Sequence, residues 1–588
     1  MFLRRSLPVA LCLALTACAL PERATDSSTR VAIGAVQGTS ERSPQVGSEV
    51  SVEGVVTQRL HGTDDVPGGV FVQDAGDGDA ATSDAIFVTG AALDRLRIGD
   101  AVRVTGRVVE TDTGRGALLT TLDALRIDAL PTRVMPAPLR LGAWPAARES
   151  IEGMRVVFDT LHLDAQDDVE RAGTWLASIG DAPWQVTERA RPGSEAAREL
   201  ADTQAARRVA LDDTRLGAPD RAATWWSSVA SARSGSVLRN VAGVIDQRGG
   251  AYRVQVDAIA RVDAAPRPQP PRVDGALRIA ALNVENLFNG DGAGGGFPTE
   301  RGARTQAEFD VQLSKQVATI TSLNADVVAL MEVENDGHGA ESAEGQLVAA
   351  LNAAGGSWRG VEHAARIGGD AIRVGIVYRG DRVRPVGQAA TLTGGPFDGR
   401  SRVPLAQAFV PAKARAHHGR ENYTFVVVAN HFKAKGCGNA QGAEADQRDG
   451  QACYNPARLD SAQRLHRWIA TDPTRSGATR TVLLGDFNAY AQEDPIHWLR
   501  EAGWRDAFEV ARVDAPYSYV YDGLRGRLDH ALLSADFARD LRGAAEWHVN
   551  ADEPESLGYR SHPQGARTPW RGSDHDPLVL GFSIQAPR

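Results

Sequence analysis

Val328-Ala329-Leu330-Met331-Glu332-Val333-Glu334-Asn335 is an apolar, strand-like run interrupted at its C-terminal end by acids and an amide. The same pattern recurs through the second half of the chain. Ala281-Leu282-Asn283-Val284-Glu285-Asn286 comes before it, and Val427-Val428-Ala429-Asn430-His431-Phe432-Lys433 and Leu483-Leu484-Gly485-Asp486-Phe487-Asn488-Ala489 follow. Arg527-Leu528-Asp529-His530 and Gly572-Ser573-Asp574-His575-Asp576-Pro577 close the series. Apolar runs at 277–282, 326–331, 374–378, 424–429 and 481–484 alternate with helical patterns at 305–323 and 456–470. This mixture predicts a layered α/β domain over 277–588, with loops at strand ends as the natural place for a site.

Upstream, Ala264-Ala265-Pro266-Arg267-Pro268-Gln269-Pro270-Pro271 reads as a stiff extended linker, and 264–276 as the boundary between modules. Short strands with period-two alternation are expected at 50–57, 69–73, 85–89, 101–109 and 117–127. Five such strands suit an OB-like β module over 31–130, either a nucleic-acid or sugar binder or a passive spacer. The turn Asp74-Ala75-Gly76-Asp77-Gly78-Asp79 could gather oxygens around calcium, but it lacks EF-hand spacing and reads better as a solvated turn. Prolines 131, 136, 138 and 145 lead into a second β module over 131–263, with strands at 154–163, 207–211 and 237–262.

The 588 residues exceed what one core can hold, and a composition 43% hydrophobic and 24% charged excludes global disorder. A net charge of -9 repels polyanions at long range, so any nucleic-acid contact must be local. Lysine occurs only at Lys315, Lys413, Lys433 and Lys435. Arg4 and Arg5, an apolar run over 7–15 and Leu15-Thr16-Ala17-Cys18 look like an export signal, too short to span a bilayer. The last four residues resemble a bacterial lipobox, which implies cleavage of 1–18, acylation of Cys18 and a tether over 19–30. The alternative is an ordinary signal cut after Ala19 and free secretion. The expected location is thus the outer membrane or cell surface, or the medium. Cys437 and Cys453 remain for the mature chain, and in an exported protein such a pair is expected to form a disulfide.

Clustered carboxylate, amide and imidazole groups suit the hydrolysis of a phosphodiester. That charged electrophile needs a hard cation on its oxygens, a base near the attacking water and donors for the developing charge. Glu332, with Asp574 and Asn283, supplies oxygen ligands of the kind magnesium takes, with Mn²⁺ or Ca²⁺ as alternatives. His575 and His431 are the candidate acid/base pair, and Asp529 the carboxylate that fixes the tautomer of His575. Asp370 is a candidate partner for His431. Asp576, Glu285, Glu334 and Asn286 are expected around this set. Taken singly, Gly-Asp-Phe-Asn reads as a turn and Ser-Asp-His as a helix cap; it is their ordered recurrence that points to an enzyme.

The segments resemble the endonuclease/exonuclease/phosphatase superfamily, which includes DNase I-like folds, over roughly 277–584. The resemblance implies a four-layer α/β sandwich with Glu332 and Asp574 as metal ligands and Asn283 beside metal and phosphate. It further implies that Asp486 and Asn488 position phosphate and water, that His575 with Asp529 is the base, and that His431 is the acid-side histidine. Asn430 through Cys437, Asp449 through Asn455 and Trp547 through Pro554 are similar to bacterial extracellular nucleases of the ExeM/NucH kind, which also carry OB-like modules upstream. That likeness implies a Cys437–Cys453 staple, Lys433 and Lys435 beside the scissile phosphates, a nucleic-acid substrate, above all DNA, no protein partner, and membrane contact only through the lipid. The same fold serves sphingomyelinases and inositol-phosphate phosphatases, though no long apolar hairpin for lipid insertion is present. A reading of another class is a surface lipoprotein that binds nucleic acid without cutting it.

Overall fold

The computed structural model describes residues 29–584 apart from 64–65, 91–92, 115, 170–172, 216–220, 291–295, 364–365, 413–415, 418–419, 422 and 562–566. The expected signal and the acylated Cys18 lie outside these residues. Among the described residues, no helix is long and apolar enough to cross a membrane.

Strands β1 (Glu49–Leu60), β2 (Gly69–Gln73), β3 (Ala85–Thr89), β4 (Ala101–Asp112) and β5 (Leu118–Ala129) form a barrel. Its order is β1-β2-β3-β5-β4, with β4 returning to β1 and β3 running parallel to β5. Alternate residues turn inward, so Val50, Val52, Val70, Val72, Ile86, Val88, Val102, Val104 and Leu122 make the core.

Strands β6 (Arg155–Asp168), β7 (Thr174–Ser178), β8 (Arg208–Asp212), β9 (Val237–Asp246) and β10 (Arg253–Asp263) repeat this order, β9 closing onto β6 and β8 running parallel to β10. The stretch read from sequence as one β region over 237–262 is therefore two antiparallel strands. Both barrels have the OB-like arrangement. The second is filled by larger side chains, with Trp175 edge-on to Trp226 at 4.4 Å. Its β7–β8 connection carries α1 (Val186–Arg189) and α2 (Glu195–Ala205), which sequence reading missed.

The C-terminal half is a sandwich of two six-stranded sheets. The first comprises β11 (Leu277–Leu287), β12 (Val327–Glu334), β13 (Trp358–Gly360), β14 (Ile372–Arg379), β21 (Leu541–Glu546) and β22 (Leu578–Phe582), ordered β13-β14-β12-β11-β22-β21. The second comprises β15 (Val383–Thr391), β16 (Leu405–Pro411), β17 (Phe425–His431), β18 (Arg480–Asp486), β19 (Arg505–Asp506) and β20 (Asp529–Leu533), ordered β15-β16-β17-β18-β20-β19. One set of alternating residues, including Ile279, Ala281, Ala329, Met331, Val427 and Leu484, packs between the sheets. The other set faces outward: Leu282, Val328 and Leu330 pack under α3 (Gln306–Leu323) and α4 (Ala343–Ala353). Val426, Val428 and Leu483 pack under α5 (Asn455–Ile469) and α6 (Asp494–Glu501). Strands apolar on both faces are what four layers require, each buried aliphatic side chain contributing about 1.5–3 kcal/mol.

The central pairs β11–β12 and β17–β18 are each parallel. Their polar C-terminal ends therefore emerge together at one edge of the sandwich.

Candidate active site

Glu332 is turned into the site by local irregularity in its strand. The β11–β12 pairing shifts register between Asn283 and Leu287, and the β12–β14 pairing between Leu330 and Val333. Glu332 itself has φ 65°, as does not suit a regular strand. Its Oε2 accepts from the amide of Asn286, and its Oε1 from Asn283 Nδ2 at 3.2 Å. Asn283 Nδ2 also reaches Asp486 Oδ2 at 3.3 Å, while its Oδ1 accepts from the Glu285 amide. Asn283 thus donates to two carboxylates of the cluster and ties them together.

Asp486 ends β18 beside His431 on β17 and opposite Asp529 on β20. The glycine before it, Gly485, has φ 125°, and a Cβ there would stand 2.3 Å from the Asn430 carbonyl oxygen, so only glycine lets these strands close. Asp486 Oδ1 accepts from the Asn488 amide at 2.8 Å, and Asn488 Nδ2 donates to the Phe432 carbonyl. His431 Nε2 lies 3.4 Å from Asp486 Oδ2 and 3.8 Å from Glu332 Oε1. Ligand atoms of Glu332, His431 and Asp486 all fall within 4.8 Å of one another.

His575 Nδ1 meets Asp529 Oδ2 at 2.7 Å, the contact anticipated for this pair, and Ser518 Oγ donates to the same oxygen at 2.8 Å. The Tyr519 ring lies 4.6 Å from the imidazole. Asp574 is near enough that, after burial, its charge is the next cause pushing Glu332 up; the same two causes take Glu285 to about 8. Burial takes Asp486 to about 7. The histidines diverge. Burial opposes charge on His575, but Asp529, Asp574 and Asp486 outweigh it and hold its pKa well above the ordinary value. Burial, then Arg402 and His575, push His431 well below it. Environments that separate two titratable groups in this way are those of an acid/base pair.

Lys433 lies with its Nζ 4.8 Å from the Tyr454 ring centre at the rim. Lys435 does not reach the site: its Nζ donates to both carboxylate oxygens of Glu493, at 2.6 and 2.7 Å, and to the Gln451 carbonyl. The expectation that it lies against a phosphate is corrected, since a half-buried, fully paired ammonium has no donor direction left toward the cluster. Cys437 and Cys453 are bonded, with Cα atoms 5.0 Å apart, closing the loop that follows His431. Asp370 does not orient His431. Its carboxylate is 3.3 Å from Arg402 Nε and 3.6 Å from Arg301 Nη1, and Arg402 Nη1 in turn lies 3.4 Å from His431 Nε2.

Sequence reading missed Arg402, whose one signal is its place just ahead of β16. Of the surrounding acids, Asp576 accepts from the amides of Val549, Asn550 and Ala551, and Glu334 from that of Asn289. His530 is a core histidine, its Nε2 2.8 Å from the Ala489 carbonyl.

The donor set tests well for a hard divalent cation. Carboxylates that burial and one another push upward mark uncompensated negative charge, and Asp529 Oδ1 and His431 Nδ1 are buried without a hydrogen-bond partner among the described residues.

No curated protein sequence matches the chain. Among solved structures, the Bacteroides vulgatus endonuclease/exonuclease/phosphatase is similar at 14% identity, covering 53% of this chain and 99% of that one with a TM-score of 0.33. The human nocturnin catalytic domain with bound sulfate is similar at 14% identity, 53% and 93% coverage and TM-score 0.34. D. rerio TDP2 complexed with single-strand DNA product is similar at 16% identity, 52% and 99% coverage and TM-score 0.33. The family model described as the endonuclease/exonuclease/phosphatase family matches residues 282–575, which run from the middle of β11 to His575 and hold the cluster above. The chain belongs to the endonuclease/exonuclease/phosphatase family.

Proposed function

We propose that this protein is an exported, metal-dependent phosphodiesterase that cuts nucleic acid, above all DNA. The observation that carries the reading is the junction of two units at one sandwich edge: the Glu332–Asp486–His431 cluster and the His575–Asp529 pair. Glu332 and Asp486, with Asp574 beside them, would hold Mg²⁺. When bound, such a cation acts as a Lewis acid on phosphoryl oxygens and offsets the carboxylate charge around His575.

The chain's own groups supply the proton traffic. Asp529 fixes the Nδ1 proton of His575, leaving Nε2 to take a proton from the attacking water. The surrounding carboxylates favour the imidazolium so formed. His431, whose charged form is disfavoured by burial and by Arg402, offers a neutral ring N–H as a hydrogen-bond donor to the oxygen leaving phosphorus, and that oxygen takes its proton from solvent water. The water oxygen forms the new bond to phosphorus as the ester bond opposite it breaks. Arg402, Arg301 and Lys433, the cations that help depress His431, form a positive rim for the flanking phosphates of a polyanion that the chain as a whole repels. The resemblance of the loops around Cys437, Cys453 and Trp547 to extracellular nucleases favours DNA over lipid or inositol phosphate. The leader favours export through acylated Cys18.

With Mg²⁺, the purified protein is expected to reduce plasmid DNA to short products, and a chelator to stop this. Glu332→Ala and His575→Ala should each lower the rate by about 10²- to 10⁴-fold while the fold persists. Undiminished cutting by both variants would overturn the assignment. Parallel assays on RNA, sphingomyelin and an inositol phosphate decide the substrate class, and labelling with a fatty-acid analogue decides the fate of Cys18.

A further inference from the structure

Residues 183–194 leave the second barrel and enter the sandwich between loops that bear site residues. Glu188 on α1 is enclosed, 6% exposed. Its Oε2 accepts from the backbone amides of Ala491 and Arg527, each at 3.1 Å, and its Oε1 from Arg527 Nε at 3.0 Å. Ala491 lies just beyond Asn488, and Arg527 just before Asp529. Arg527 Nη1 donates onward to Asp506 Oδ2 at 3.0 Å, so a buried chain of acid, base and acid runs from barrel to sandwich.

Neighbouring contacts fall on the same loops. Thr187 Oγ1 donates to Glu493 at 2.8 Å, and the Gln492 amide to the Thr187 carbonyl. Arg191 Nη2 reaches Asp494 at 2.7 Å. The Gln185 amide donates to the Arg525 carbonyl and the Arg525 amide to that of Pro183. Trp184 lies edge-on to Tyr517, whose neighbour Ser518 donates to Asp529.

We propose that this segment is part of the catalytic unit, and that Glu188 is a positioning residue that fixes the Asn488 and Asp529 loops relative to each other. A spacer needs no charge at its seam. A carboxylate removed from water is tolerated only where donors meet it, and here two of the three donors are main-chain N–H groups of the loops themselves. An apolar contact would tolerate sliding, whereas one carboxylate oxygen shared by two amides sets their separation. Catalysis is sensitive to displacements of this size, because reacting groups must be held near their attack geometry.

The inference rests on the reading of this site as a phosphodiesterase centre, and the test separates the two. In the full chain with Mg²⁺, Glu188→Ala is expected to lower kcat on bis(p-nitrophenyl) phosphate about 10- to 100-fold with KM within about twofold, the cost usual for supporting groups. Glu188→Gln, whose amide oxygen still accepts from both N–H groups, should recover part of this. Arg140→Ala, on an exposed face of the same barrel, should leave kcat unchanged. Amide hydrogen exchange should quicken in Glu188→Ala at 488–494 and 517–529 but not in the first barrel.

An unchanged kcat, a change confined to KM, or exchange that quickens evenly over the chain would overturn the proposal. If Glu188→Ala does not fold, Glu188→Gln carries the same measurements. If the unaltered protein cleaves no phosphodiester, the proposed function falls and the exchange pattern alone decides whether Glu188 holds the loops: local quickening supports it, unchanged protection overturns it.

Discussion

The two barrels share a strand order and differ in what they do with one connection. In the first, the link between second and third strands is the acidic turn over 74–84, whose aspartates bond to nearby amides of the turn. In the second, the corresponding link over 179–207 carries two helices and seats charged side chains in the sandwich. The first barrel meets the second through Gln58 with Asp257, Arg248 with the His61 carbonyl, and Phe71 and Phe87 beside Val244. Equal topology therefore does not mean equal role: the strands make the barrel, and the length and chemistry of one loop decide whether it becomes part of its neighbour.

The sharpest way to break this contrast is Arg527→Ala. It strands Glu188 and Asp506 as buried carboxylates, and a loss of about 3–5 kcal/mol is expected in urea unfolding. A loss under about 1 kcal/mol would mean that the second barrel is no more embedded than the first.

Next comes pH. Asp164 in the second barrel is buried and bonded to Ser178, and burial raises its pKa from 3.8 to about 8. An acid raised on folding contributes stability that is complete below its unfolded pKa and lost as pH climbs through the folded one. In the first barrel burial pushes Glu53 up, but Arg103, Arg133 and Arg30 outweigh it and hold it below its ordinary value, so its contribution is lost only in acid. Thermal melts between pH 5 and 8 should therefore show the second barrel weakening, and Asp164→Asn should flatten that slope. A slope unchanged in the variant would assign the effect elsewhere.

The smallest expected effect is Gln58→Ala at the seam between barrels. The 2.6 Å bond to Asp257 is lost together with the bond that the Gln58 side chain accepts from the Arg59 amide, about 1–2 kcal/mol, with no change in kcat. A fall in kcat would bring the first barrel into the catalytic unit as well.

What the sequence disclosed follows the same division. Asn283, Glu332, His431, Asp486 and Asp529 stand at the ends of strands whose two-sided apolar character is a local signal, so their shared edge could be read from pattern alone. The Cys437–Cys453 bond followed from composition and context. Glu188 and Arg527 carried no such mark, because a lone charge in sequence looks solvated and their contact spans a separation of 339 residues. Lys435 misled for a different reason: the likeness to extracellular nucleases implied a place beside a phosphate, whereas its ammonium is spent on Glu493, whose presence could be learned only from the fold. Arg402 went unread because a single guanidinium ahead of a strand has no periodicity to betray it.

The Cys437–Cys453 bond closes the loop between His431 and α5, and closing a loop of this size contributes about 3 kcal/mol. In a reducing compartment those thiols stay apart, and the segment bearing Tyr454 and Lys435 is held by hydrogen bonds and ion pairs, among them Lys435 with Glu493 and Arg458 with the Gln451 and Cys453 carbonyls. The finished rim of the site is then a product of oxidation, complete only once the two sulfurs have been joined.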